Sequence, residues 1–350
     1  MTINFLLPHY GYKPSGGFRV VYLYANEFAK YGHTVNLIHA AYCKKGFRRN
    51  LFALIETWIG RNSRSNWFEF ESNVNIMYTS SLREKNIPDA DVTIATAYET
   101  VLWLKQYSDK KGKKIYFIQG LETWADSEDA IINSWKTEQI RKIVISKYLL
   151  SIGEKNGIFD LTYIPNAIDR SKYRIYNDYK NRSNLIAMVY SSSAVKGAKY
   201  GLQAIKEIKK AYADMTVVMF GKEKRPTDFP EWIEYVENPE QEFIIQQIYN
   251  KAKIFVCSSL SEGWGLPPME AMACGAAVVT TDCGGVRDFA IPDQTAIVCS
   301  VRDAEGIKAG VQKLLNNERL RIQLVENALK KIEEFDWEDN TRKFINVLEQ

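Results

Sequence analysis

The sequence is poor in the residues that most metal and nucleophile chemistry needs. It has three histidines, His9, His33 and His39, all within the first forty positions. Its five cysteines form no Cys-x-x-Cys pair. Zinc spacing and a metal-binding histidine cluster are therefore not expected, and no serine–histidine–aspartate order stands out. An odd thiol count argues against a disulfide framework. Cys257, Cys274, Cys283 and Cys299 lie in apolar or small-residue runs, which suits reduced, buried thiols in a cytosol. No apolar run reaches about 18 residues, so no membrane-spanning helix is expected. The opening MTINFLLPHYG lacks a basic start and is broken by Pro8, so it is not expected to be a signal peptide. A net charge of +4 gives no reason to expect a nucleic-acid binder, and no solenoid repeat is visible.

What is present is a soluble globular composition, 46% hydrophobic and 25% charged, in a length of 350 residues that suits about two domains. Ile3 to Leu7 is a short apolar run. A loop from His9 to Gly17 follows, holding Gly11, Pro14, Gly16 and Gly17. From Phe18 to Tyr31, Val21, Tyr24, Ala25 and Phe28 form one helical stripe. Gly32 closes that helix, and Val35 to His39 reads as the next strand. This is a βαβ unit whose glycine turn sits at a helix N-terminus, where backbone N–H groups favour phosphate. Such a turn can equally be only structural. Short apolar runs at Val92–Ala97, Ile115–Gln119 and Ile143–Ser146 continue the alternation. A proline-containing polar stretch through about Ser183 reads as an inter-domain linker. A second series then runs from Leu185, with strands at Leu185–Tyr190, Thr216–Phe220, Ile254–Cys257 and Ala277–Thr280. Helices are expected at Tyr200–Ala211, Glu242–Lys251, Pro268–Ala273, Ala304–Asn316 and Glu318–Phe335. The reading is α/β: two doubly wound, Rossmann-like domains with parallel sheets, facing each other across a cleft.

The stretch SEGWGLPPMEAMACG, Ser261 to Gly275, carries the most chemistry. It follows the strand Ile254–Cys257, at the carboxyl edge where ligands of open α/β sheets gather. Pro267 and Pro268 fit a first helical turn, where a missing N–H costs little. A phosphate could rest on the N–H groups of Gly265, Leu266 and the helix start. Glu262 and Glu270 would repel that phosphate, so they should meet neutral, hydroxyl-rich groups instead. The pattern suits a phosphorylated ligand with sugars beside its phosphates. A solvated loop glutamate followed by an ordinary dipole-favoured helix start gives the same residues.

Glu262 and Glu270, with seven residues between them inside SEGWGLPPMEAMACG, resemble the signature of family 4 glycosyltransferases. The resemblance extends to the Gly16-Gly17 loop, to GHTV after the first helix and to IPNAID at Ile164–Asp169. It also takes in KGAKYGLQAI from Lys196, TTDCGGVRD from Thr280 and FDW at Phe335–Trp337. It implies the GT-B fold, with an N-terminal acceptor domain over residues 1–170 and a donor domain over residues 184–335. Residues 336–350 would form a helix crossing back to the first domain. By position, Glu270 would hold ribose hydroxyls, and Glu262 would contact the transferred sugar near its reacting carbon. Gly263, Trp264, Gly265 and Leu266 would line the sugar and the distal phosphate. Lys196 would neutralise the diphosphate. Ser192 falls in the donor loop, and Gly16 and Gly17 would approach the phosphates from the other domain. The resemblance further implies retention of anomeric configuration and no metal or other cofactor. In the mechanism that the resemblance implies, the leaving diphosphate would take the acceptor's proton through an oxocarbenium-like transition state, and phosphate stabilisation would be the main catalytic term.

The departures from that pattern matter. An arginine usually stands about five residues before the lysine, but here Val189-Tyr190-Ser191-Ser192-Ser193 has none. Lys222, Lys224 and Arg225 are candidates to replace it, or form a solvated basic loop. YFIQGLETW lacks a histidine common in the family and resembles a branch of bacterial cell-surface polysaccharide enzymes. Gln119, Glu122 and Trp124 thereby become acceptor-side candidates, as does His9 after the first strand. Asp89-Ala90-Asp91 matches a metal motif of a different glycosyltransferase fold, but it precedes a strand and reads as a turn. His33 reads as structural. Residues 41–67 are basic and amphipathic, which suits either contact with anionic lipid near a lipid-linked acceptor or an ordinary surface helix.

The expectation is a transferase that moves a sugar from a nucleoside-diphosphate-sugar to a saccharide or lipid-linked saccharide. It would work in the cytoplasm or on the inner membrane face, in cell-surface polysaccharide synthesis. A non-catalytic partner subunit and a nucleotide-sugar epimerase are the alternatives.

Overall fold

The computed structural model describes residues 1–8, 15–40 and 67–350. They form two compact units. The first is Met1–Asn166 together with Trp337–Gln350, and the second is Ala167–Asp336.

In the first unit, strands β1 (Thr2–Leu7), β2 (Thr34–Ala40), β3 (Val74–Thr79), β4 (Val92–Ala95), β5 (Lys113–Ile118), β6 (Arg141–Val144) and β7 (Leu161–Tyr163) make one sheet. Its order is β3-β2-β1-β4-β5-β6-β7, and every pairing is parallel. Ile3, Phe5, Leu6 and Leu7 of β1 are fully buried, as a central strand covered on both faces must be. Helix α1 (Gly16–Lys30) begins at Ser15, whose Oγ accepts from the N–H of Phe18. It ends in a Schellman motif. The Gly32 N–H reaches Ala29 O, the His33 N–H reaches Phe28 O, and Gly32 takes φ of +83°. The helix Trp337–Glu349 belongs to this unit. Its Phe344 ring lies 4.9 Å from Tyr24 and 5.3 Å from Phe28, and Asn340 donates to Pro165 O. Helices α2 (Tyr98–Leu104), α3 (Glu128–Trp135) and α4 (Lys147–Lys155) complete the unit. Asp89 and Asp91 hold strand starts. Asp89 pairs with Lys111 at 2.6 Å, and Asp91 accepts from the N–H of Thr2.

The second unit carries β8 (Leu185–Val189), β9 (Thr216–Gly221), β10 (Ile233–Glu237), β11 (Ile254–Cys257), β12 (Ala277–Thr281) and β13 (Ile297–Cys299). The sheet is again parallel, in the order β10-β9-β8-β11-β12-β13. Its helices are α5 (Ala198–Ala211), α6 (Leu266–Ala273), α7 (Ala304–Asn316) and α8 (Glu318–Ile332). A buried cluster that includes Met188, Ile205, Ile208, Met219, Val256, Val279, Val311 and Leu324 fills the space between sheet and helices.

Two expectations change here. The stretch before Ser183 is no loose linker. Buried Arg182 donates to the carbonyls of Tyr249, Ala252, Asn177 and Cys274. Arg321 holds the carbonyls of Tyr179 and Lys180. The helix expected from Glu242 is mostly a π-helix, Ile244–Tyr249, entered through Gln241–Phe243. Fully buried Asn250 sets its end: the backbone N–H and side-chain amide of Asn250 both reach Ile245 O, while its Oδ1 accepts from Tyr176. Those long-range bonds favour the wider turn over a regular one.

Arg182→Ala should destabilise the second unit by roughly 2–4 kcal/mol, because several buried carbonyls lose their donor. Urea unfolding of the variant against the wild type checks this; an unchanged midpoint would refute the clamp.

Candidate functional site

The second sheet reverses its winding between β8 and β11, and the carboxyl edge at such a reversal is where open α/β sheets bind ligands. Lys196 comes from the loop after β8 and Glu262 from the loop after β11. Lys196 Nζ donates to Glu262 Oε1 at 2.7 Å, and Ser259 Oγ donates to the same oxygen at 2.7 Å. The Glu262 backbone is clamped as well. Its N–H reaches Cys283 O, and its carbonyl accepts from Gly285. Gly197, at φ of +58°, lets the two loops touch: a Cβ there would lie 2.0 Å from Ser258 O. Burial disfavours the charged Lys196 ammonium, but the charge and hydrogen bond of Glu262 outweigh it, and the lysine pKa is raised. Lys196 is thus a fixed cation, not a neutral amine.

Beyond Glu262 the chain turns sharply into α6. Gly265 adopts φ of +96°, and a Cβ there would lie 2.7 Å from Val286. Helix α6 starts at Leu266, two residues before the expected Pro268. Among the described residues, no hydrogen bond takes up the N–H of Gly263, Trp264, Gly265 or Leu266. Pro267 and Pro268 have no N–H to offer. The positive end of the helix is therefore concentrated on this short run of donors, a suitable seat for an anion. Glu270 lies one turn into α6, buried, with Oε2 accepting from the Tyr249 hydroxyl at 3.0 Å.

Three of the groups expected to meet the ligand have other duties. The Trp264 indole is buried between Phe289 and Phe335, and its N–H lies on Met269 Sδ. Only its backbone remains for a ligand. The Ser192 N–H is taken by the Glu223 carboxylate, which also accepts from Ser191 Oγ. Arg225 is no ready substitute for the missing arginine, because its guanidinium holds the carbonyls of Ile233, Phe229 and Pro230. Lys222 and Lys224 are exposed. Tyr249, Ser259 and Glu223 are not legible from spacing: Tyr249 and Glu223 reach the site from other elements, and Ser259 is one more serine in the loop that carries Glu262.

In the first unit, Gly16 and Gly17 are exposed at the start of α1. The Cβ position of Gly17 lies 3.7 Å from the Gln119 side-chain amide, so this helix start and the end of β5 adjoin. Glu122 accepts from the N–H of Tyr98, at the start of α2. Burial lifts its carboxyl from 4.5 to about 7, against the lowering effect of the Tyr98 N–H and with help from Glu99. Trp124, in the same loop, is 72% exposed. His9 lies outside the described residues, as does the basic segment except for Trp67, which stacks on Tyr22. Among the described residues, no cluster of histidine, cysteine or acidic side chains could hold a metal ion, and no helix is long and apolar enough to cross a membrane.

Residues 169–331 match the family model described as glycosyl transferases group 1. The chain is 29% identical to the O-antigen chain mannosyltransferase B of Escherichia coli over 33% of its length and 30% of the relative. It is 26% identical to the capsular polysaccharide biosynthesis glycosyltransferase CapM of Staphylococcus aureus, over 53% of the chain and 50% of the relative. The chain thus spans half or less of these curated relatives. The crystal structure of Anabaena HepE in complex with UDP superposes with a TM-score of 0.77 at 12% identity, covering 100% of both chains. That likeness establishes the fold, the two Rossmann-like domains of GT-B architecture.

Because folding raises the Glu122 pKa, its contribution to stability is complete below about pH 4.5 and is lost as pH rises through about 7. Glu122→Gln should therefore melt a few degrees higher than wild type at pH 8 and about equally at pH 4. Melting curves across that range check this; parallel pH profiles would refute it.

Proposed function

We propose that the protein, whose residues 169–331 match the glycosyl transferases group 1 model, is a retaining glycosyltransferase. It moves a sugar from a nucleoside-diphosphate-sugar to a saccharide or lipid-linked saccharide acceptor. The observation that carries this reading is the run of N–H donors from Gly263 to Leu266, set directly between Glu262 and buried Glu270. An anion seat bracketed by two carboxylates fits a diphosphate with a sugar on each side. In this reading Glu270 accepts from ribose hydroxyls and Glu262 from the transferred sugar. Lys196 exchanges Glu262 for the distal phosphate, and that exchange frees the glutamate for the sugar.

Charge on the leaving diphosphate then grows beside Lys196 and the α6 N-terminus, groups held in place before the reaction starts. The acceptor's proton passes to the departing phosphate oxygen, and no metal is called on. His9, Gln119, Glu122 and Trp124 form the proposed acceptor side of the first unit. The roles for which the relatives are named, O-antigen and capsular polysaccharide synthesis, support a cell-surface polysaccharide as product. HepE with UDP supports a nucleotide donor. A lipid-linked acceptor would give the basic segment 41–67 a role at the inner face of a membrane.

UDP, GDP, ADP and dTDP, with their common sugars and without metal, should include one that raises the melting temperature by mass action. Glu270→Ala should weaken that nucleotide by about tenfold or more, from the loss of hydrogen bonds to a charged acceptor. Glu262→Ala should lower kcat by about tenfold or more with a smaller change in nucleotide affinity. Negligible effects of both variants would sink the site, and sugar released without transfer, or epimerised, would sink the reaction.

A further inference from the structure

We infer that Tyr249 is a positioning residue for the donor's ribose, acting through Glu270; this rests on the assignment of Glu270 to ribose under the proposed function. A long flexible carboxylate selects a hydroxyl pair only if its plane is fixed before the ligand arrives. Glu270 has one oxygen fixed by the Tyr249 hydroxyl at 3.0 Å, and both side chains are buried. A carboxylate has about four acceptor positions, more than the one that this bond fills.

Tyr249 is itself held tightly. Its ring packs edge-on against Phe220 of β9 and Phe255 of β11, with centroids 5.9 and 5.5 Å away. Its carbonyl accepts from Arg182. It is the last residue of the π-helix, and that wider turn sets its angular position. A regular helix advances about 100° per residue, so restoring one across this segment would rotate Tyr249 relative to its neighbours. The π-helix, stabilised by Asn250, is therefore part of the ribose device. Such single-turn insertions recur at functional sites. Burial, followed by the charge of Glu270, drives the Tyr249 hydroxyl well above its ordinary pKa, so it remains a donor throughout the physiological range.

The test compares UDP, GDP and ADP with their 2′,3′-dideoxy forms by calorimetry, on wild type and on Tyr249→Phe. Phe keeps the ring against Phe220 and Phe255 and removes one oxygen. The wild type should prefer the ribose form by about tenfold. Y249F should lose most of that preference while holding its affinity for the dideoxy form within about twofold. Should Y249F fail to fold, Y249M, whose flexible side chain adapts to the space, is read by the same ratio. A folded variant that keeps the full ribose preference, or that weakens both forms equally, overturns the positioning role. A wild type without ribose preference, or one that binds none of these nucleotides, overturns instead the assignment of Glu270 and with it this inference.

Discussion

The parallel pairing of β8 with β11 is the constraint from which the donor side follows. These strands are far apart in sequence, with β9 and β10 between them in the chain but beyond β8 in the sheet. Because winding reverses here, the loops after β8 and β11 cannot cover one another, and both bring chemistry to one edge. Lys196 and Glu262 meet across that junction. The contact depends on Gly197, where any side chain would strike Ser258 O. Glu262 is further tied to the loop after β12 by bonds to Cys283 and Gly285. A carboxylate and an ammonium held like this need little reorganisation when a charged ligand arrives.

The fold class is legible in the sequence because both sheets are parallel and buried on two faces, so their central strands read as apolar runs. The shorter or outer strands are not. In β3 only Val74 is buried, β10 alternates and buries Ile233, and β7 and β13 are three residues each. The first two are edge strands with a face toward solvent, and the last two carry too little pattern to separate from loop. The π-helix is also hidden. Its apolar spacing resembles any helix, and its cause, Asn250, acts through bonds to residues as far away as Arg174 and Tyr176.

Within the site, Glu262, Glu270 and Lys196 stand out in sequence because a local motif carries each. Their actual partners do not. Ser259 is hidden by its ordinariness and Tyr249 by lying in a different helix from Glu270, while Glu223, which holds the neighbouring Ser192, is hidden by distance. Trp264 shows the opposite error. In a glycine-rich loop an aromatic side chain reads as ligand-facing, yet Phe289 and Phe335, remote in sequence, provide it with a core. The glycines around it make the loop compact enough for the indole to turn inward.

The helix Trp337–Glu349 has a consequence for how the chain is made. The second unit is one uninterrupted stretch, and its two ends meet where the Ile168 N–H bonds to Phe335 O. The first unit lacks Phe344, the ring that closes its aromatic cluster, until residues beyond the second unit have been synthesised. On a ribosome, domains usually finish in the order of their first residues. Here the order inverts: the later-starting unit can close first, while the earlier one waits, partly open, for its final helix.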